Sequence, residues 1–354
     1  MSSPEAIPVL ITGIGGGGHG EQILKALRLG QKKYRILGTD IDSVCANIGL
    51  VDSFVKVPRV TEPNYLETIL KLARQHQAVA IFHGSEAEMM VFGNNCELIR
   101  DEGFYLPVNP PELLATCRDK ALTADFLKKM GFPAPVSREI SKISDLNDFD
   151  MLPAIVKPSI GGGSANVFIA QTTAELKAFA SYLLTLVPRF VAQEYVGTPD
   201  AEFTVGVLFG QDGAFLNSIG VKRIIGNALS VRSSAPNRTG RTDLGERLVV
   251  SSGVSQGMVG RWPDVTRQCE IIAKALCPTA PINIQLRLVD GMVTPFEINP
   301  RFSGTTSLRA MAGYNEPDVL IRRDVLGEKI EPYFPYREIT IMRSLHEQEL
   351  TDRF

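Results

Sequence analysis

The chain has 354 residues, 44% of them hydrophobic and 21% charged. At roughly 150 residues per domain this sets an expectation of two to three globular domains. It excludes a peptide hormone, a disulfide knot or a lone small binding module. Lys and Arg total 37 against 39 Asp and Glu, a formal charge of -2. No global attraction to nucleic acid or to an anionic membrane is therefore expected. The sequence has no cationic start followed by an apolar run, and no apolar stretch of about 18 residues, so neither a signal peptide nor a membrane span is expected. Cys45, Cys96, Cys117, Cys269 and Cys277 are an odd, scattered set without a CxxC pair. They fit reduced thiols in a cytoplasmic protein. His19, His76, His83 and His346 have no zinc-type spacing.

The first ~110 residues alternate strand and helix, which predicts a parallel sheet covered on both faces. Ile7 to Ile14 is an apolar run that ends in glycines. Gln22 to Leu29 reads as a helix, Tyr34 to Asp40 as a strand, Tyr65 to Gln75 as a helix and Ala78 to His83 as a buried strand. Asn109-Pro110-Pro111 ends this unit. Between the first strand and helix lies Gly13-Ile14-Gly15-Gly16-Gly17-Gly18-His19-Gly20, with a literal GxGxxG, and Asp40 ends the next strand. Such a loop lets the backbone approach an anion at a helix N-terminus. The pattern resembles a dinucleotide fingerprint. A Rossmann-like turn that binds something else, or nothing, is the competing reading.

From Asp119 to Met130 the spacing predicts a helix stopped by Gly131-Phe132-Pro133. Ala154 to Lys157 reads as a strand running into Pro158-Ser159-Ile160-Gly161-Gly162-Gly163-Ser164. Val167 to Ala170 is a strand, and Thr172 to Leu186 a helix with Thr172 and Glu175 spaced as a capping box. A lysine at a strand end before a glycine loop suits polyphosphate, because the ammonium neutralises charge while backbone N–H groups fold over it. A surface loop beside a snorkelling lysine fits those residues equally well.

Beyond Arg189 the chain is rich in strands: Phe190 to Tyr195, Phe203 to Phe209, Ala214 to Val221, Ile282 to Val289 and Met292 to Ile298. Asp212-Gly213 and Asp290-Gly291 mark hairpins. Ile339-Thr340-Ile341 suggests a closing strand. The polar stretch Arg223 to Arg241, with Arg232 and Arg238, is long enough to be an anion-binding lid, or it is a solvated basic loop. Glu297 and Asn299 are two apart and so share one strand face. Such oxygen donors suit Mg²⁺; a polar outer strand face would give the same pattern. A plain two-residue turn would turn Gln285 away from Glu297. A three-residue loop at Gly291 or a bulge near Pro295 would set Gln285 opposite Glu297, and the second arrangement is predicted.

In order, Arg118-Asp119-Lys120, Ile155-Val156-Lys157-Pro158 with its glycine loop, Gln193-Glu194-Tyr195-Val196, Glu202-Phe203-Thr204-Val205, and Asn283-Ile284-Gln285 with Phe296-Glu297-Ile298-Asn299-Pro300-Arg301 resemble the ATP-grasp superfamily over about residues 110–325. The last pair is most similar to the carbamoyl phosphate synthetase large subunit, within the carboxylate–amine ligase branch. The resemblance implies an α/β and α+β architecture. A Rossmann-like pre-ATP-grasp domain (1–112) would precede the ATP-grasp small lobe (113–188) and large lobe with its C-terminal strand (189–354). It implies ATP phosphates at Lys120, Lys157, Gly161, Gly162, Gly163 and Ser164. The adenine edge falls at Glu194, Tyr195 and Val196, and the ribose hydroxyls at Glu202. One or two Mg²⁺ (or Mn²⁺) ions fall at Gln285, Glu297 and Asn299. Arg301, and with less support Arg223, would be the catalytic arginines. Gly15, Gly16, Gly17, Gly18 and His19 become a candidate acceptor-substrate site.

The implied activity is that of an ATP-dependent ligase. It would convert a carboxylate to an acyl phosphate and couple it to an amine or another nucleophile. The partners are then small-molecule substrates, with no nucleic acid and no membrane. The oligomeric state stays open, with a homodimer the common form among such enzymes. The alternatives are a carbamoyl-phosphate or carbamate-type enzyme, a non-catalytic nucleotide sensor, and an NAD-dependent Rossmann oxidoreductase. The last leaves Lys157 and Glu297 unexplained.

Overall fold

The computed structural model describes residues 6–345 and Glu347, so His346 lies outside the described residues. The chain opens with β1 (Ile7–Ile11), β2 (Tyr34–Asp40), β3 (Ser53–Lys56) and β4 (Ala80–Phe82). All pair in parallel, in the order β3-β2-β1-β4. Val9, Leu10 and Ile11 are fully buried, as strands covered by helices on both faces must be. The sequence pattern anticipates β1, β2 and β4 but not β3, nor the helices Glu86–Asn94, Cys96–Asp101 and Pro111–Arg118.

Next come β5 (Ser137–Ile140), β6 (Ala154–Pro158), β7 (Phe168–Ala170) and β8 (Phe190–Glu194), an antiparallel sheet ordered β5-β8-β6-β7. The helix Thr173–Leu186 covers it, capped by the Thr172 hydroxyl, which accepts from the Glu175 N–H. Its core is small and separate, built on Val156, Ala180, Leu183 and Phe190.

The remaining strands are β9 (Glu202–Phe209), β10 (Phe215–Arg223), β11 (Val231–Pro236), β12 (Arg247–Ser251), β13 (Gly257–Gly260), β14 (Ile282–Val289), β15 (Met292–Asn299) and β16 (Ile339–Ile341). Six of them form one sheet, ordered β15-β14-β9-β10-β13-β16. All eight residues of β9 are buried, because both faces of this sheet are covered. Phe203, Val205 and Val207 pack with Val265 and Ile272 of the helix Pro263–Lys274. On the other side Leu208, Leu216, Phe302 and Leu308 join Ile11, Ile23 and Leu27 of the N-terminal unit in a single core. The parallel sheet is thus fused to the large sheet by shared apolar packing, and their junction is fixed.

The polar stretch after Arg223 folds into a ribbon, β11 paired with β12. Two of the arginines of this stretch are paired at exposed positions, Arg238 with Glu175 of the small sheet's helix and Arg241 with Asp243. No helix among the described residues is long and apolar enough to cross a membrane.

Candidate active site

A cleft of about 1170 Å³, open solvent at its mouth included, runs between the small sheet, the ribbon and the end of the β14–β15 hairpin. Ile155, Val167, Tyr195, Val196 and Val249 give it an apolar part. The Glu194 and Tyr195 N–H groups are already bonded to the Val136 and Pro153 carbonyls, at 2.8 and 2.9 Å. Among the described residues the Val196 N–H has no such acceptor. A flat apolar slot with one open backbone donor can hold a purine and read its edge.

Much of the remaining lining is polar. Lys157, at the end of β6, lies under the glycine loop with its Nζ 2.7 Å from Gln193 Oε1 and 3.2 Å from the Phe296 carbonyl. Burial, reinforced by the Lys120 charge, pushes its ammonium down to about 7. Lys120 begins a helix capped by Asp119 and donates to the Gly161 carbonyl at 2.6 Å. Gly161 and Gly163 have φ of +144° and +66°, and a Cβ at either would meet nothing within 4 Å. The loop is therefore conformationally specialised yet open on the side that faces the cleft.

Gln285 pairs with Glu297, and Leu286 with Pro295, so Phe296 bulges out. The turn itself is tight, with Val289 opposite Met292. The predicted bulge near Pro295 is thus realised, and Gln285, Glu297 and Asn299 all line the cleft. Among the described residues no three of His, Cys, Asp or Glu are grouped as metal ligands. One carboxylate and two amides are too few and too weakly charged for a resident cage. They do fit a hard cation that brings phosphate and water oxygens as its other ligands.

Arg301 also lines the cleft, and its Nη2 lies 2.6 Å from Glu86 Oε1, a contact across 215 positions. Burial pushes the Glu86 carboxyl up, but Arg301, with Lys120 and Arg118, outweighs this and holds it below the usual carboxylate range. Sequence reasoning overlooked Glu86. Its one signal is position: it follows β4 at the carboxyl end of a parallel strand, where open α/β sheets bind ligands.

Two expectations are corrected. Glu202 lines the cleft, but other side chains already occupy its carboxylate oxygens. Its Oε1 accepts from Arg223 Nη1 at 2.9 Å and Ser251 Oγ at 2.5 Å, and its Oε2 accepts from Arg287 Nε and Nη2 at 3.2 and 3.1 Å. Those four bonds use the roughly four lone-pair sites of a carboxylate. Arg223 does not line the cleft; its guanidinium is bonded behind the wall to Glu202, Ser251 and the Ser252 carbonyl. Gly15, Gly16, Gly17, Gly18 and His19, the candidate acceptor-substrate site, lie outside the lining of this cleft. The Gly15 N–H donates to Asp40 Oδ2 at 2.8 Å, so the acidic residue of the dinucleotide pattern is bonded to the loop itself. His19 is buried, with its Nε2 3.0 Å from His83 Nδ1. Burial, then the charge of Arg301, pushes His83 down to about 3 and holds His19 well below its ordinary value, so both rings are neutral.

Residues 9–106 match the family "PylC-like, N-terminal domain", and residues 247–347 match "ATP-grasp in the biosynthetic pathway with Ter operon". An uncharacterized protein of Sinorhizobium fredii, y4rH, is 23% identical over 264 residues, 71% of this chain and 49% of that one. The chain therefore spans about half the length of that curated relative. Among solved structures, the ADP complex of purK, an N5-carboxyaminoimidazole ribonucleotide synthetase, superposes with a TM-score of 0.65 at 12% identity, covering 96% of this chain and 82% of that one. The L-amino acid ligase of Bacillus licheniformis gives 0.60 at 18% identity, covering 91% and 74%. The biotin carboxylase domain dimer of the Hydrogenobacter thermophilus 2-oxoglutarate carboxylase, with MgADP and bicarbonate, gives 0.60 at 15%, covering 93% and 71%. These similarities establish the fold.

Proposed function

We propose, from the match of residues 9–106 to a PylC-like N-terminal domain and of residues 247–347 to an ATP-grasp domain, that this chain is an ATP-dependent ligase forming a C–N bond. The three units (1–112, 113–188 and 189–354) would serve one active site. The observation that carries the reading is the convergence of Lys120, Lys157, the glycine loop and the Gln285–Glu297–Asn299 set on one cleft that also has apolar lining. In this reading adenine occupies the slot beside Val196, and the phosphates run past Lys157 and Lys120.

A divalent cation held by Glu297, Asn299 and Gln285 would neutralise charge on the phosphate oxygens. The carboxylate of one substrate attacks the terminal phosphorus of ATP, giving an acyl phosphate and ADP. Phosphate is a better leaving group than oxide, so an amine then displaces it and an amide forms. The chain's part is positioning and charge neutralisation. Arg301, in reach of the cleft, is suited to the acyl phosphate oxygens. Glu86 holds Arg301 from the N-terminal side and lies where an incoming ammonium would meet a carboxylate. At the GxGxxG loop the acidic residue a dinucleotide ribose would need, Asp40, accepts from the Gly15 N–H, which counts against that reading.

A coupled assay for ADP, run with and without a panel of amino acids, tests the reading. Glu297→Ala is expected to abolish ADP release while its circular dichroism and melting temperature stay those of the wild type. A full-rate variant would remove Glu297 from the metal set.

A further inference from the structure

The same strand face that carries Gln285 also carries Asn283, two residues earlier, opposite Asn299 on one neighbour and Gly206 on the other. Asn283 lines the cleft. By residue type it would pass for one more oxygen donor to a cation. What lies behind it decides otherwise. Asn283 Oδ1 is 2.6 Å from Arg309 Nη2 and 2.8 Å from Thr204 Oγ1. A guanidinium has donors and no acceptor, so the amide atom facing it must be the oxygen, and the amide cannot be turned over.

Arg309 is itself fixed. It is fully buried, and its Nη1 donates to Glu316 Oε1 at 3.1 Å, while Glu316 Oε2 accepts from Thr306 Oγ1 at 2.9 Å. Gly206 makes the room: a Cβ there would sit 2.3 Å from Arg309 Nη1. A buried charge pair under the sheet thus pins the Asn283 oxygen inward and leaves its NH₂ on the cleft side. Among the described residues that NH₂ has no protein acceptor.

We propose that Asn283 is a hydrogen-bond donor to the terminal phosphoryl group of the bound nucleotide and not a ligand of the cation. The inference rests on the ATP reading above. An amide NH₂ repels a cation and attracts an anion. The anion expected beside Glu297 and Asn299 is the phosphate chain of the nucleotide, whose terminal group is the one transferred. Arg309 and Glu316 are positioning residues that set the polarity of Asn283.

The test is Asn283→Asp. The oxygen facing Arg309 and Thr204 is retained, so the buried pair keeps its partner, and the cleft-facing donor becomes an anionic acceptor. Affinity for Mg²⁺ with the non-hydrolysable analogue AMP-PNP, measured by calorimetry, should fall about 100-fold or more. Affinity for MgADP should change less than about threefold, and the melting temperature should not drop. Unchanged or tighter binding of the triphosphate, or half-saturation at lower Mg²⁺, would overturn the proposal, because an added carboxylate strengthens a cation site. Should the aspartate variant melt early, Asn283→Ala gives a second reading: about a tenfold loss for AMP-PNP alone is expected. An equal loss for both nucleotides, or none, would overturn it. Wild-type protein that bound neither nucleotide would instead remove the ATP reading itself.

Discussion

The two glycine loops look alike as sequence and differ as matter. In the first loop Gly15 and Gly20 are there because other atoms are close, while Gly16 between them has open space. A Cβ at Gly15 would lie 2.3 Å from the Cys45 Cβ, one at Gly20 2.5 Å from the Thr12 carbonyl oxygen, and one at Gly84, on the adjoining turn, 1.9 Å from the same oxygen. At Gly161 and Gly163 nothing lies within 4 Å, and the requirement is a positive φ. The two ends of the first loop are packed against their own fold, whereas Gly161 and Gly163 of the second are open. Glycine richness alone therefore does not mark a ligand loop. What distinguishes them is whether the space left by the missing side chain is filled by protein.

Substitutions break this contrast in a definite order. Gly84→Ala should be the most severe, since backbone must move to admit the methyl group. A loss of about 3 kcal/mol or more in unfolding free energy is expected by denaturant titration; a stable variant would mean the first loop is loosely packed. Lys157→Met, beneath the open loop, should leave the fold and weaken MgATP binding about 100-fold.

The same lysine predicts a pH dependence. In the free protein it titrates near 7, and contact with phosphate raises that value, so binding takes up a proton above pH 7 and affinity falls as pH rises. Calorimetry at pH 8 in buffers of different ionisation enthalpy should show that uptake in the wild type and not in Lys157→Met. Gly163→Ala strains a φ of +66° without a clash, which costs about 1 to 2 kcal/mol and is expected to appear as few-fold weaker nucleotide binding. Gly16→Ala should be the mildest, within about 0.5 kcal/mol of wild type, because Gly16 has open space and no positive φ.

The pairing of Gln285 with Glu297 was anticipated, through either a three-residue loop or a bulge near Pro295; the tight Asp-Gly turn is kept and the bulge supplies the shift. The placing of Lys120, Lys157 and Glu297 on one cleft followed from motif order. Glu202 was misread for a physical reason: its partners Arg223 and Arg287 lie 21 and 85 positions away, and no local pattern reveals a carboxylate saturated by them. Glu86 escaped for the same reason, since its meaning depends on Arg301 at the other end of the chain. The ribbon after Arg223 has small and polar residues on both faces, so it lacks the apolar alternation by which strands are found.

The central claim is that this cleft holds a magnesium nucleotide and the first glycine loop holds no dinucleotide. Calorimetric titration of the wild-type chain with MgATP and, separately, with NADH tests it most directly. The account predicts saturable binding of one MgATP per chain, lost when divalent cation is chelated, and no heat of binding for NADH. Saturable NADH binding without MgATP binding would contradict it.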